Sequence, residues 1–151
     1  MKKYEEIEHT ADLGLRIYGE SLEALLANAG QGMFSLIGEL RELKQTREIR
    51  LNVPFSDPSI PSSRGLDSLE AAEDLLPEWL RRLLTEFNLR AFFPFQYALT
   101  LNVNGLTAEL TGALFEPGRD VFYTEIKGVT FHGLKVAKME DRWQAEVIFD
   151  V

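Results

Sequence analysis

Cysteine is absent from this 151-residue chain. That removes disulfides, thiolate metal sites and cysteine nucleophiles together, and it fits a reducing compartment. Histidine is scarce: His9 and His132 are the only two, so a three-histidine metal centre is excluded. No apolar run reaches the roughly 18 residues that a membrane span needs. The start, Met1-Lys2-Lys3-Tyr4-Glu5-Glu6, carries no apolar signal core, so a cytoplasmic protein with no membrane association is expected. Basic residues are few and scattered, 16 Lys and Arg against 24 Asp and Glu, for a net charge of −8. A broad phosphate-gripping face is therefore not expected, and a cation or a basic protein partner fits the surface better. Also missing are a glycine-rich phosphate loop ending in Gly-Lys-Ser/Thr, a Gly-x-Ser-x-Gly elbow, a His-Glu-x-x-His helix and an EF-hand loop.

What is present is an ordinary globular composition, 45% apolar, long enough for one core, so residues 1–151 are read as a single domain. Leu13, Leu15 and Ile17 alternate with polar or small residues at period two, which predicts a strand. Ser21 is a helix N-cap with Glu23 in the first turn, and Leu22, Leu25, Leu26, Ala29, Met33, Leu36 and Ile37 follow at helical spacing up to Gly38. A second strand is expected over Arg47–Val53, then a proline- and serine-rich loop from Pro54 to Gly65, expected to be irregular and mobile. Asp67 and Glu70 resemble a capping box. Because Pro77 is costly deep in a helix, the regular second helix is expected to start near Asp74, with 67–73 as a looser lead-in. The last third reads as antiparallel sheet. Phe95 to Val103 alternates, Asn104-Gly105 is a hairpin signal, and Leu106, Ala108 and Leu110 return. After a turn at 116–120, strands are expected over Lys127–Ala137 and Arg142–Phe149. The order predicts an α+β fold, with two helices packed on one face of a mainly antiparallel or mixed β-sheet.

Chemistry-bearing residues gather toward the ends of the chain. Asp12 lies in Glu8-His9-Thr10-Ala11-Asp12-Leu13-Gly14, and Asp150 precedes Val151 with its α-carboxylate. If the last strand pairs beside the strand carrying Asp12, these oxygens converge. Like charges so placed call for a cation or a proton between them, and a hard cation suits an all-oxygen site. The same residues also read as a Thr/Asp turn capping its own backbone and as an anchored chain end. In Glu125-Ile126-Lys127-Gly128-Val129-Thr130-Phe131-His132-Gly133, Lys127 could meet a phosphate or an acid, and His132 could serve as base or donor. An exposed strand lysine and a half-buried packing histidine are the plain alternatives.

Taken in order, the His9–Leu15 segment, Tyr18-Gly19 leading to Ser21-Leu22, Met33-Phe34, Leu75-Leu76 with Trp79-Leu80, 125–132 and the terminal Val147-Ile148-Phe149-Asp150-Val151 resemble the archease family over nearly the whole chain. The family pattern has alanine and tyrosine where this chain has Gly128 and Phe131, which bears on any hydroxyl role at 131. The resemblance implies a protein cofactor and not an enzyme: an activator of an RtcB-type RNA ligase in tRNA splicing and RNA repair, promoting guanylylation and repeated turnover. It implies a divalent metal, calcium foremost with magnesium or manganese also suited, held by Asp12, Asp150 and Val151. Lys127, joined by His9 and His132, would be the partner-activating group, and RNA would be met only through the ligase. Two other classes remain open at this point. One is a metal-dependent phosphohydrolase or nuclease using Asp12 and Asp150. The other is a chaperone-like or RNA-binding module.

Overall fold

The computed structural model describes residues 2–9, 12–61 and 65–151, with His9 described by its backbone alone. Eleven elements follow in chain order: β1 (Tyr4–His9), β2 (Asp12–Gly19), α1 (Leu22–Ile37), β3 (Gly38–Glu39), β4 (Thr46–Pro54), α2 (Leu69–Arg90), β5 (Phe92–Asn102), β6 (Gly105–Leu114), β7 (Val121–Phe122), β8 (Gly128–Lys138) and β9 (Trp143–Asp150). The expected α+β architecture of two helices on antiparallel sheet is what forms. The strands divide into a four-stranded sheet ordered β1-β2-β9-β8, a three-stranded sheet ordered β4-β6-β5 and a two-stranded ribbon of β3 with β7. Every paired strand is antiparallel to its neighbour.

The helices touch both larger sheets, α1 through β2 and β5, α2 through β8, β4 and β5. That explains why each helix buries a broad arc and not a narrow stripe. In α1, Leu22, Leu25, Leu26, Ala29, Met33 and Ile37 are all enclosed. Ser21 caps it as expected, accepting from Ala24 N at 3.0 Å. Gly38 ends it, and there a side chain is barred: an added Cβ would lie 2.3 Å from the Val121 carbonyl oxygen, so only glycine lets β7 close on β3. Two residues per strand give too little alternation to read from sequence, and the ribbon was not expected.

The second helix starts earlier than expected. Its cap is Ser68, whose Oγ accepts from Ala71 N at 3.0 Å, and Pro77 sits inside it, buried. The proline removes a backbone bond to Glu73, a cost of about 3 kcal/mol. Glu73 is exposed, so solvent is at hand there. Leu75, Leu76, Trp79, Leu80 and Leu83 are completely buried on the same helix, and at roughly 1.5–3 kcal/mol each their burial outweighs the lost bond. The loop before it is more fixed than its composition suggests. Phe55 and Ile60 enter the core, and Asp74 accepts from both the backbone N and the hydroxyl of Ser56. Ser62, Ser63 and Arg64 fall outside the described residues. The expected β5–β6 hairpin forms, with its turn one residue earlier than the Asn104-Gly105 signal: Val103 and Asn104 turn the chain and Gly105 opens β6.

Two polar groups in the interior behave oppositely. Trp79 Nε1 donates to the Leu26 carbonyl at 2.7 Å, tying α2 to α1. The buried Tyr97 hydroxyl has no hydrogen-bond partner among the described residues, and burial pushes its pKa up. Trp79→Phe is expected to lower unfolding free energy by about 1–2 kcal/mol, whereas Tyr97→Phe is expected to be neutral or stabilising by up to about 1 kcal/mol. Denaturant midpoints of the two variants check this, and a clear loss on Tyr97→Phe would contradict it.

Asp120, in the turn before β7, has a fully enclosed side chain. It accepts from Arg119 Nη2 at 2.9 Å, Arg41 N at 2.8 Å and Glu116 N at 2.8 Å. The Arg119 guanidinium, and then these backbone donors, hold its carboxyl well below the usual range. A carboxyl depressed on folding contributes stability above its unfolded pKa, about 3.9, and loses it as pH falls through the folded value. Asp120→Ala is expected to cost about 3 kcal/mol at neutral pH and to flatten the stability profile below about pH 4. Equal midpoints and equal acid profiles for wild type and variant would overturn this.

Candidate functional site at the end of the four-stranded sheet

The site follows from strand register. Leu13 pairs with Phe149, and the pairing runs residue by residue to Gly19 with Trp143. The pairing ends there, and Asp12 and Asp150 are the next residues along the two strands. On the flanks, β1 brings His9 opposite Asp12, and β8 brings Gly128 opposite Asp150. The pairs His9–Asp12 and Gly128–Asp150 therefore make the last row at one end of the sheet. Directly opposed residues share a face, with Cβ atoms about 4.5–5.5 Å apart. Leu15, Ile17, Ala145, Val147 and Phe149 fill the core face, so the two carboxylates belong to the outer face. Asp12 is half-buried and Asp150 exposed, while Val151, next in the chain, is 44% exposed.

Lys127 joins this end through its backbone: its N donates to the Asp150 carbonyl at 2.7 Å. The residue is exposed. Beside it, an added Cβ on Gly128 would stand 3.5 Å from Asp150 Oδ2, so the glycine leaves the flank of that carboxylate uncrowded. His132 is not brought to the row. It lies four residues beyond Gly128, a strand distance of about 13 Å, where the β8–β9 register is interrupted between Thr130 and Lys135. It is exposed and not half-buried, and its backbone N donates to Thr130 Oγ1 at 2.9 Å. The backbone of His9 is in the row; its side chain, with Thr10 and Ala11, lies outside the described residues.

The next rows show which cations are already committed. Gly14 occupies the following outer-face row between Ile7 and Ile148, where a Cβ would come within 2.6 Å of Ile7 Cγ1. One row further, Arg16 bridges Glu5 at 3.1 Å and Glu146 at 3.4 Å, and Tyr18 donates to Glu5 at 2.8 Å. Lys2 and then Tyr18 and Arg16 depress the Glu5 carboxyl to about 2. Arg16 thus serves its own acids, about 13 Å along the strand from Asp12, with an apolar row between.

The donor set at the end is chemically suited to a hard divalent cation: carboxylate oxygens, with no sulfur and no buried lysine among them. Among the described residues no group of three or more His, Asp or Glu side chains is arranged to hold a metal. Asp12 and Asp150 lie at the same end of the sheet, and Val151 follows Asp150 in the chain.

Arg81 is a positioning residue that sequence reasoning did not pick out. From α2 its Nη2 donates to the Val129 carbonyl at 2.8 Å, and its guanidinium lies 4.2 Å from the centre of the Phe131 ring. It fastens β8, and with it Lys127 and Gly128, to the helix layer. Forty-eight residues separate donor and acceptor, and no local pattern signals such a contact. A cleft of about 940 Å3 between α1 and the three-stranded sheet is lined by none of the predicted site residues. Among the described residues no helix is long and apolar enough to cross a membrane.

Comparison with known proteins agrees with this architecture. The model of the Archease protein family (MTH1598/TM1083) matches residues 4–151. Proteins named archease from Methanosarcina mazei and Methanopyrus kandleri are 32% and 30% identical, covering 99% and 98% of this chain and 97% and 99% of their own. The solution structure of Methanobacterium thermoautotrophicum protein 1598 shares the fold over 100% of both chains, with a TM-score of 0.72 and 25% identity. A Thermotoga maritima crystal structure, described as an archease and possible chaperone, covers 97% of this chain and 96% of its own at a TM-score of 0.64 and 23% identity, a likeness of fold alone. This chain belongs to the archease family.

Proposed function

We propose that this protein is a non-catalytic activator of an RtcB-type RNA ligase, acting in the cytoplasm in tRNA splicing and RNA repair by promoting guanylylation of the ligase and its repeated turnover. The observation that supports this most is the pairing of Leu13 with Phe149, which puts the next residues, Asp12 and Asp150, at the same end of the sheet, where Lys127 is bonded through its backbone to Asp150. Asp12, Asp150 and Val151 would hold a divalent cation, calcium foremost and magnesium or manganese alternatively. Such an ion, when bound, offsets the repulsion of the two carboxylates and stiffens the strand end.

The chain's own residues define what this end offers a partner. The core-fixed pairing of the second and last strands presents the two acids together at this end. Lys127 presents an ammonium beside them for a phosphate or an acid of the ligase. RNA is met through the ligase, in keeping with the net charge of −8. A stand-alone phosphohydrolase or nuclease is less well supported: it needs a nucleophile or an activated water beside the cation, and the pair of acids has no third acidic or histidine side chain clustered with it among the described residues. The description of the Thermotoga relative as a possible chaperone favours a broader holding role as the second reading. Suppression of aggregation of unrelated proteins, without any effect on ligase guanylylation, would select it.

Asp12→Ala and Asp150→Ala are expected to weaken calcium binding roughly tenfold or more and to abolish stimulation of guanylylation of the cognate ligase. Lys127→Ala is expected to keep calcium affinity and lose stimulation. Calcium titration and a guanylylation assay on the three folded variants check this. Stimulation equal to wild type by all three would contradict the assignment.

A further inference from the structure

The chain between β7 and β8 has no regular structure, yet it is fastened along its length. Tyr123 N and Thr124 N both donate to the Ile37 carbonyl, at 2.8 and 3.3 Å, and the Tyr123 hydroxyl donates to Glu39 at 2.9 Å. Ile126 is buried, and Lys127 N bonds the Asp150 carbonyl. This strap forms one wall of a cleft of about 190 Å3 whose other wall is the C-terminal half of α2, through Leu84 and Phe87. The floor is apolar, made by Ile37 and Ile126. Phe122, which packs edge-on against Phe115, stays 51% exposed at the rim, and Leu89 and Tyr123 nearby are 72% and 57% exposed. The one charged residue lining the cleft is Glu125.

Three features define what fits. The volume suits one large side chain and falls short of the roughly 300–1,000 Å3 of small-molecule sites. The floor demands an apolar group. Glu125 at the wall, Glu39 beside it, and the C-terminal end of α1, which has no basic residue in its last turn, favour a cation next to that group. The strap runs on from the cleft to Lys127, which is bonded through its backbone to Asp150. We infer that this cleft is the anchoring pocket for the ligase: it takes one aliphatic or aromatic side chain flanked by lysine or arginine. The inference rests on the proposed ligase-activating function. It assigns docking to the cleft and leaves activation to Lys127 and the two acids.

Thr124→Trp fills the cleft while keeping its backbone bond to Ile37, and Glu125→Lys reverses the wall charge at an exposed site. Binding of each variant to purified cognate ligase is measured by calorimetry at two salt concentrations, alongside calcium affinity and gel filtration. The expected result is a loss of ligase affinity of about tenfold or more for Thr124→Trp, and for Glu125→Lys a smaller loss with weaker salt dependence. Calcium affinity is expected to be unchanged, and full stimulation of guanylylation to return at saturating variant concentration. Wild-type affinity in both variants would overturn the pocket while leaving the activator reading intact, as would a change confined to self-association. Failure of the wild-type protein to bind the ligase would overturn both.

Discussion

The pairing of β2 with β9 is the constraint on which the rest of the molecule depends. These are the two inner strands of the four-stranded sheet, and they join the beginning of the chain to its last residues. Their shared core face supplies Leu15, Ile17, Ala145, Val147 and Phe149, all essentially inaccessible to solvent. Side chains alternate between faces with a period of two, so a slip of one residue would turn this set outward and carry Asp12 and Asp150 into the core. Burying five apolar side chains and keeping two carboxylates in water therefore require the same register. The site geometry is fixed by the hydrophobic core and needs no dedicated interaction between the acids.

Charge is handled differently along the outer face of that sheet. In the middle, Arg16 is held between Glu5 and Glu146, with Tyr18 completing the network, so acids and base are matched within the protein. At the end, Asp12 and Asp150 are set apart from that arginine by the Ile7–Gly14–Ile148 row. The strap that walls the smaller cleft runs on to Lys127, whose backbone is bonded to Asp150.

Much of this was legible because it rests on local periodicity. The alternation of β2 and β9, the Ser21 cap, and the apolar run ending on Asp150 mark the elements, while the pairing of β2 with β9 entered only as a condition. Where sequence reading departed from the structure, tertiary packing overrode a local rule. Pro77 stays inside α2 because the leucines and Trp79 around it are buried on two sides. Phe55 and Ile60 draw a proline-rich segment into the core. The division of the strands into two sheets, the β3–β7 ribbon and the hold of Arg81 on β8 all depend on partners dozens of residues apart. His132 was grouped with Lys127 by proximity in sequence, and it falls in the stretch of β8 where the register with β9 shifts.

The central claim is that Asp12 and Asp150 share one cation. The most direct measurement is the anomalous signal of crystals grown with a lanthanide in place of calcium. One peak is expected at the end of the four-stranded sheet, about 2.3–2.6 Å from carboxylate oxygens of both residues. A peak touching only one of the two acids, or none at that end, would contradict the account.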